Sequence, residues 1–378
     1  MSGQVGIDIG ATAVRAVLVK GKDDKSSAIV SRIGIIPLRE GSVSRGRIQK
    51  PVVVAQAVLA ALKSIDARKY GFILGYSGSE MAVSRMPLRS EVKPNERLSA
   101  IRTLDQPISP TLRNDEAVID TNFVRTDIAA DGRSIDTLVV AAARREDIEA
   151  LQKLMILARC QPRAIDLSAA ALMRALVRVP ENTTEVGTII DIGATKTTVA
   201  TRQGLHLRSV RVVPVGGANI TQAIQAATGD TAEEAEARKR LMRLSSMQDM
   251  PVVLQTSYGA SSAPTTGGMD KESKLDEAVN NVINDLIEQT AQLIENDASD
   301  FGNTLTQGAV LSGQSSQLPG LKDKFNQRLG VPVQLGRPWA HIEANKANAP
   351  FLTAGPDNPQ VLLELSTAIG LALWERSK

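Results

Sequence analysis

Two short stretches set an aspartate, a glycine and a threonine in the same order. The first runs Val5-Gly6-Ile7-Asp8-Ile9-Gly10-Ala11-Thr12-Ala13-Val14-Arg15, the second Thr188-Ile189-Ile190-Asp191-Ile192-Gly193-Ala194-Thr195-Lys196-Thr197-Thr198-Val199. Each has an apolar run before the aspartate and a β-prone run after the turn, so each reads as a hairpin. A glycine permits a tight turn and lets an anion approach the backbone. The turn's N–H groups then face that anion, and Asp8 and Asp191 are candidates to hold a magnesium ion through its waters. A third candidate is Pro214-Val215-Gly216-Gly217 before a helix, where an N-terminus can receive phosphate; a plain strand-to-helix turn explains those glycines equally well. One Asp-x-Gly turn is ordinary hairpin chemistry. Two near-identical copies in the two halves of a chain point to a duplicated domain with a cleft between the halves.

The elements that would position these turns follow from periodicity. Val5 to Ile36 reads as a three-strand meander with a polar loop at Gly21 to Ser27. Pro51 to Ile65 has the helical period with Pro51 at the first position, and Gly71 to Tyr76 reads as a buried strand. Between Met81 and Arg163 a helix opening at Pro94, strands at Val118–Val124 and Ile135–Ala142, and a helix from Arg145 form an αββα insert. Ile165 to Leu172 reads as a helix start capped by Asp166 or Ser168. Later come the charged helical run Glu233 to Arg243, a mobile loop at Gly259 to Gly268, and one apolar stripe from Leu275 to Ile294. Ala309 to Gly313 is a strand ending in glycine, Leu318-Pro319-Gly320-Leu321 starts a helix, and Leu362 to Trp374 is an apolar helix.

Bulk properties narrow the class. At 378 residues with 43% hydrophobic content the chain supports two or three domains. The 44 basic and 41 acidic residues nearly balance and aromatics are 3%, which argues against a nucleic-acid partner. One cysteine, Cys160, allows no internal disulfide, and His206 and His341 with it make no zinc-like cluster. The longest apolar run, Val52 to Leu62, is interrupted by Gln56 and far short of a membrane span. A cytoplasmic protein without direct membrane insertion is the expectation.

With these motifs in order, the chain resembles the actin-like ATPase superfamily, and within it the PilM family of type IV pilus assembly proteins, relatives of FtsA. The most particular stretches are Val139 to Glu146, Pro214 to Gly217 with Thr221-Gln222-Ala223, and Glu233 to Glu236 with Lys239-Arg240. Leu318 to Leu321 followed by Leu329 to Val333, and Ala368 to Leu373, complete the set. The resemblance implies an α/β, actin-like (ribonuclease-H-like) duplicated fold. Its parts would be subdomain 1A (1–80 and 164–185), an inserted 1C (81–163), 2A (186–218 and 301–360), 2B (219–300), and a C-terminal helix (361–378) closing 1A.

ATP and magnesium would lie in the central cleft, with Asp8, Gly10, Ala11, Thr12 and Arg15 on the first phosphate hairpin. Asp191, Gly193, Ala194 and Thr195 would form the second, with Gly216 and Gly217 near the phosphates. Glu236 and Lys239 match the helix that touches ribose and base; composition alone favours a solvated intrahelical pair. Three departures bear on catalysis. The adenosine loop reads Ser312-Gly313-Gln314-Ser315 where three glycines are usual, so Gly313 and Gln314 stand at the nucleotide. Ser168 occupies a place where the superfamily carries an acidic residue, and Arg15 stands where lysine is usual. Asp8 and Asp191 would then be the catalytic carboxylates, and slow or absent hydrolysis is expected.

As a partner, the resemblance implies the N-terminal cytoplasmic segment of a PilN-like inner-membrane protein, docked between 1A and 1C. Pilus motor ATPases and self-association are further possibilities it raises. Two other readings compete. A sugar or acyl kinase shares the turn at 191–196 but needs a carboxylate base for the sugar hydroxyl, and no segment offers one convincingly. An FtsA-like polymerising protein would carry a terminal amphipathic helix, which Glu375-Arg376-Ser377-Lys378 does not supply.

Overall fold

The computed structural model describes residues 2–21, 28–67, 69–104, 108, 112–113, 115–180, 182–242, 244, 271–338, 343–344 and 363–374. The loops expected at 22–27 and 259–268, and Leu362, lie outside the described residues.

The duplication read from the two motifs is present in the strand order. β1 (Ser2–Ile9), β2 (Ala13–Gly21) and β3 (Ala28–Pro37) form an antiparallel meander, β4 (Val43–Ser44) and β5 (Arg47–Ile48) a separate short hairpin, and β1 also pairs in parallel with β6 (Gly71–Tyr76). β6 in turn pairs in parallel with β10 (Ala164–Leu167). In the second half β11 (Val186–Ile192), β12 (Thr197–Gln203) and β13 (His206–Val213) repeat the meander. There β14 (Ala309–Ser312) and β15 (Val333–Leu335) take the parallel places. Continuous apolar character explains the central strands: Val5, Ile7, Ile189 and Ile190 are almost wholly buried because helices cover both faces.

Those helices follow the periods in the sequence. α1 (Pro51–Ser64) starts with Pro51 in its first turn and buries Val54, Val58, Ala61 and Leu62. The short C-terminal helix, Ser366–Ala372, is buried along its whole length against β1 and α4 (Ser168–Leu176). Two glycines make that approach possible: a Cβ on Gly6 would fall 2.0 Å from the Ala368 carbonyl oxygen, and one on Gly370 1.8 Å from that of Ala171. No side chain fits in either gap. In the second half a helix at Lys271–Asp300 buries Val279, Ile283, Leu286 and Ile287 of its apolar stripe.

Two segments differ from the sequence reading. Asp166 is in a strand, β10, not a helix cap; α4 begins at Ser168 with no side-chain cap, and the Asp166 carboxylate accepts from Arg174. The parallel pairing with β6 takes Ile165 and Leu167 into a sheet that local propensity alone does not reveal. The insert also contains a further strand, β7 (Ala82–Arg89), before α2 (Arg97–Arg102), β8 (Ala117–Ile128), β9 (Ser134–Arg144) and α3 (Arg145–Leu157). Pro87 argues against an interior strand. It is tolerated because β7 pairs with β13 only at Val83, so at Pro87 one side of β7 is open while β9 takes the other. Through β7, the insert's strands and those of the second half form one eight-stranded sheet.

Candidate functional site

The two hairpin turns close identically. The Gly10 N–H donates to the Ala13 carbonyl at 3.0 Å, and the Gly193 N–H to the Lys196 carbonyl at 3.0 Å. Both turns line one cavity of about 810 Å³. Around it stand Asp8, Gly10, Ala11, Thr12 and Arg15 from the first half, and Asp191, Gly193, Ala194 and Thr195 from the second. Gly217, Glu236, Lys239, Gly313 and Gln314 complete the set read from sequence.

Gly216 is the exception, for a physical reason. It caps the helix α5 (Gly217–Thr228), whose first N–H groups do not await a phosphate. Gly217 donates to the Gly193 carbonyl at 2.9 Å and Ala218 to that of Ala194 at 2.7 Å. A Cβ on Gly216 would lie 2.6 Å from the Lys196 nitrogen and 2.7 Å from the Gly193 and Ala194 oxygens. The glycine therefore seats the helix on the back of the second turn and does not line the cavity.

The hairpins carry their charge differently. Arg15 lies opposite Asp8 in the strand register. Its guanidinium donates to Glu364 Oε2 at 2.7 and 3.2 Å and stands 3.9 Å from Asp8 Oδ2. In the second hairpin the residue opposite Asp191 is Thr198, and the cation is Lys196, at the end of the turn. Its ammonium crosses the cleft to donate to the Ser77 carbonyl, beyond the end of β6. Burial pushes the Asp8 carboxyl up, opposed by Arg15 and Lys196. Burial likewise raises Asp191 to about 6, with the Ser312 hydroxyl pulling it down and the Asp8 charge adding to the rise. Lys196 falls to about 8, chiefly through burial, with both aspartates opposing.

The far end of the cavity is built from α5, α6 (Ala232–Leu241) and the turn after β14. α6 begins with a capping box, Thr231 and Glu234 bonding reciprocally. Lys239 is buried, unlike a lysine of a solvated charge cluster. Its ammonium donates to Glu236 Oε2 at 2.6 Å, Thr221 Oγ1 at 2.9 Å and the Gly217 carbonyl at 3.1 Å, which uses all three of its hydrogens. The pair therefore forms part of the wall. Gly313 adopts φ +83° with its α-carbon against β11, where a Cβ would meet the Ile192 oxygen at 2.3 Å. Gln314 projects from the turn that follows and is exposed, whereas Ser315 Oγ lies where a Cβ on Gly217 would stand, 2.1 Å away. Ser168 lines the cavity with its hydroxyl buried and lacking a hydrogen-bond partner among the described residues.

Glu364 and Ser77 carried no local signal; Glu364 reaches Arg15 across 349 positions. Lys196 did carry one, a charge inside a turn whose sister has Ala13.

The family model for the type IV pilus assembly protein PilM matches residues 6–256. The chain belongs to the PilM family. A model for the cell division protein FtsA matches residues 188–370. FtsA of Bacillus subtilis (strain 168) is 24% identical over 361 residues, covering 88% of this chain and 78% of its own length. Among solved structures, the PilM-PilN type IV pilus biogenesis complex superposes with a TM-score of 0.74 at 22% identity over 98% of both chains. MreB5 of Spiroplasma citri bound to ADP gives 0.54 at 12% identity over 100% of this chain and 97% of that one. The fold is thus that of the actin-like proteins. Among the described residues, no helix is long and apolar enough to cross a membrane.

Proposed function

We propose that this PilM-family chain is a nucleotide-binding scaffold of type IV pilus assembly that docks the N-terminal cytoplasmic segment of a PilN-like inner-membrane protein. The observation that carries the reading is the family match over residues 6–256, which takes in both hairpin turns, the insert and α5–α6. The relatives support its parts: one solved neighbour is a complex of PilM with PilN, and another holds ADP.

In this reading the phosphates lie between the turns at Gly10–Thr12 and Gly193–Thr195. The adenosine lies toward Gly217, Glu236, Lys239, Gly313 and Gln314. The chain's own groups account for slow or absent hydrolysis. Ser168 is a poor proton acceptor at neutral pH, and the adjacent Asp166 is engaged by Arg174. Asp8 and Asp191 are then the carboxylates left to act on an attacking water.

Docking is assigned to the junction of α1 and α3, between subdomains 1A and 1C, where Ile156 and Leu157 stand exposed on α3. The membrane is reached through that partner, and the chain works from the cytoplasmic side; motor ATPases would engage the same assembly. Co-purification with a synthetic PilN N-terminal peptide tests the dock. An Ile156→Glu variant should lose the peptide while retaining the native far-ultraviolet spectrum, and undiminished capture would refute this placement. A second reading, self-association into filaments, is favoured by the FtsA model match at 188–370. Sedimentation with and without ATP decides it: a pelleting polymer supports that reading, and protein remaining in the supernatant removes it.

A further inference from the structure

We propose that the pocket between the insert and the second half, around Arg85 and Arg125, binds the phosphate group of a small organic phosphomonoester. None of its residues lines the nucleotide cleft, so the inference does not depend on the reading above.

β7 and β13 pair at Val83 and Val210. Continued in that register, the ladder would set Arg85 opposite Arg208, and like charges directly opposite one another are unfavourable in a sheet. The strands are not paired there, and a pocket of about 480 Å³ opens between them. Arg125 enters it from β8, on one register row with Thr137 of β9 and Pro87 of β7.

The three arginines differ in what holds them. Arg208 is buried and committed: Asp297 Oδ2 lies 3.0 Å from its Nε, its Nη groups donate to the Thr304 and Asp297 carbonyls, and its guanidinium sits 4.2 Å from the centre of the Phe301 ring. Arg125 gives its Nε to Asp127 Oδ2 at 2.8 Å, and its Nη groups have no partner among the described residues. Arg85 has a neutral acceptor, Gln203 Oε1 at 2.6 Å, and its Nε is buried without a partner among the described residues. No carboxylate among the described residues lies within ion-pair distance of Arg85. Burial pushes its guanidinium below the usual range, and Arg125 and Arg208 push it further, with Asp297 opposing. The acidic residue that lines the pocket, Asp300, is exposed, and its charge bears on Arg208.

A half-buried cation that faces a second cation is relieved by an anion between them. A phosphate ester brings about two negative charges at neutral pH and oxygens that guanidinium groups grip in pairs. The pocket is larger than a bare oxyanion and has the size of a small-molecule site, with Pro87 and Phe301 as an apolar wall for the body of the ester.

The experiment is calorimetric titration of the full chain with phenyl phosphate, inorganic phosphate and benzoate. The wild type should bind phenyl phosphate saturably, at least about tenfold more tightly than either of the other two. Arg85→Met should lose at least about tenfold of that affinity, the weight of one charge-assisted contact. Arg125 is exposed, so Arg125→Met tests the site even where Arg85→Met does not fold; it should lose at least about threefold. Absence of binding by the wild type overturns the proposal, as does unchanged affinity in either variant, which would place the probe elsewhere on the chain. Inorganic phosphate binding as tightly as phenyl phosphate overturns the organic ester, and benzoate binding as tightly overturns the phosphate.

Discussion

The two hairpins have the same turn and opposite ways of handling a buried charge. In the first, the cation is on the strand, and Arg15 closes a circuit with Asp8 and Glu364 from the distant C-terminal segment. In the second, Thr198 takes that register position, and Lys196 reaches over the cleft to a backbone oxygen of the first half. A duplicated backbone thus carries two functions. One copy ties the cleft floor to Glu364, and the other holds its ammonium against a neutral backbone oxygen.

Breaking the first circuit should have the largest effect. Arg15→Met leaves Asp8 and Glu364 facing each other with 15% side-chain exposure each. Removing one partner from a buried ion pair costs about 3–5 kcal/mol. Denaturant unfolding should show a loss near that size; a loss under about 1 kcal/mol would mean that the circuit does not hold the C-terminal segment.

The second hairpin should respond in the opposite direction. Asp191 has its folded-state value raised from 3.8 to about 6, so the stability it contributes is fully present below 3.8 and is lost as pH rises through about 6. Above that pH the ionised, buried carboxylate costs stability, at most roughly 3 kcal/mol by linkage. Asp191→Asn should therefore raise the melting temperature of the ligand-free protein at pH 7.5. The gain should shrink as the pH falls below about 6, and a gain independent of pH would contradict the raised value.

Gly216→Ala attacks the support of the second turn rather than its charge. Its Cβ would meet three backbone atoms that cannot rotate away, so overpacking should cost about 1–3 kcal/mol, read by thermal melting. Gly10, within the first turn, meets one side-chain nitrogen of Arg15 at 2.7 Å and the Ala13 oxygen only at 3.2 Å, so alanine there should cost less. Equal costs would erase the asymmetry. Smallest of all, Ser168→Ala removes a buried hydroxyl that has no partner among the described residues and should leave stability within about 0.5 kcal/mol of wild type or slightly above it. A large loss would show that the hydroxyl has a role in holding α4.

Much of this was legible in the sequence because it is local. The Asp8 and Asp191 turns, the Pro51 helix start and the apolar stripe from Leu275 to Ile294 are decided by residues within a few positions of one another. What was not legible depends on partners far away in the chain. Propensity could not show that β6 would take Ile165 into a sheet, or that an edge position would tolerate Pro87. Gly216 and Gly217 had the right composition for an anion-binding helix start. Only the docked hairpin, whose carbonyls accept the Gly217 and Ala218 N–H groups, shows that those donors are already used. Glu236 and Lys239 have the spacing of a solvated pair, and only the fold buries the lysine under Thr221 and Gly217.

The central claim is that the space between the two turns is a nucleotide cleft with its base end at α6 and the turn after β14. Photolabelling with an azido-adenine analogue of ATP, followed by peptide mapping, tests it most directly. The account predicts label on the peptides that contain Glu236–Arg240 and Gly313–Ser315, displaced by excess ATP. Label on other segments, or label that ATP does not displace, would contradict it.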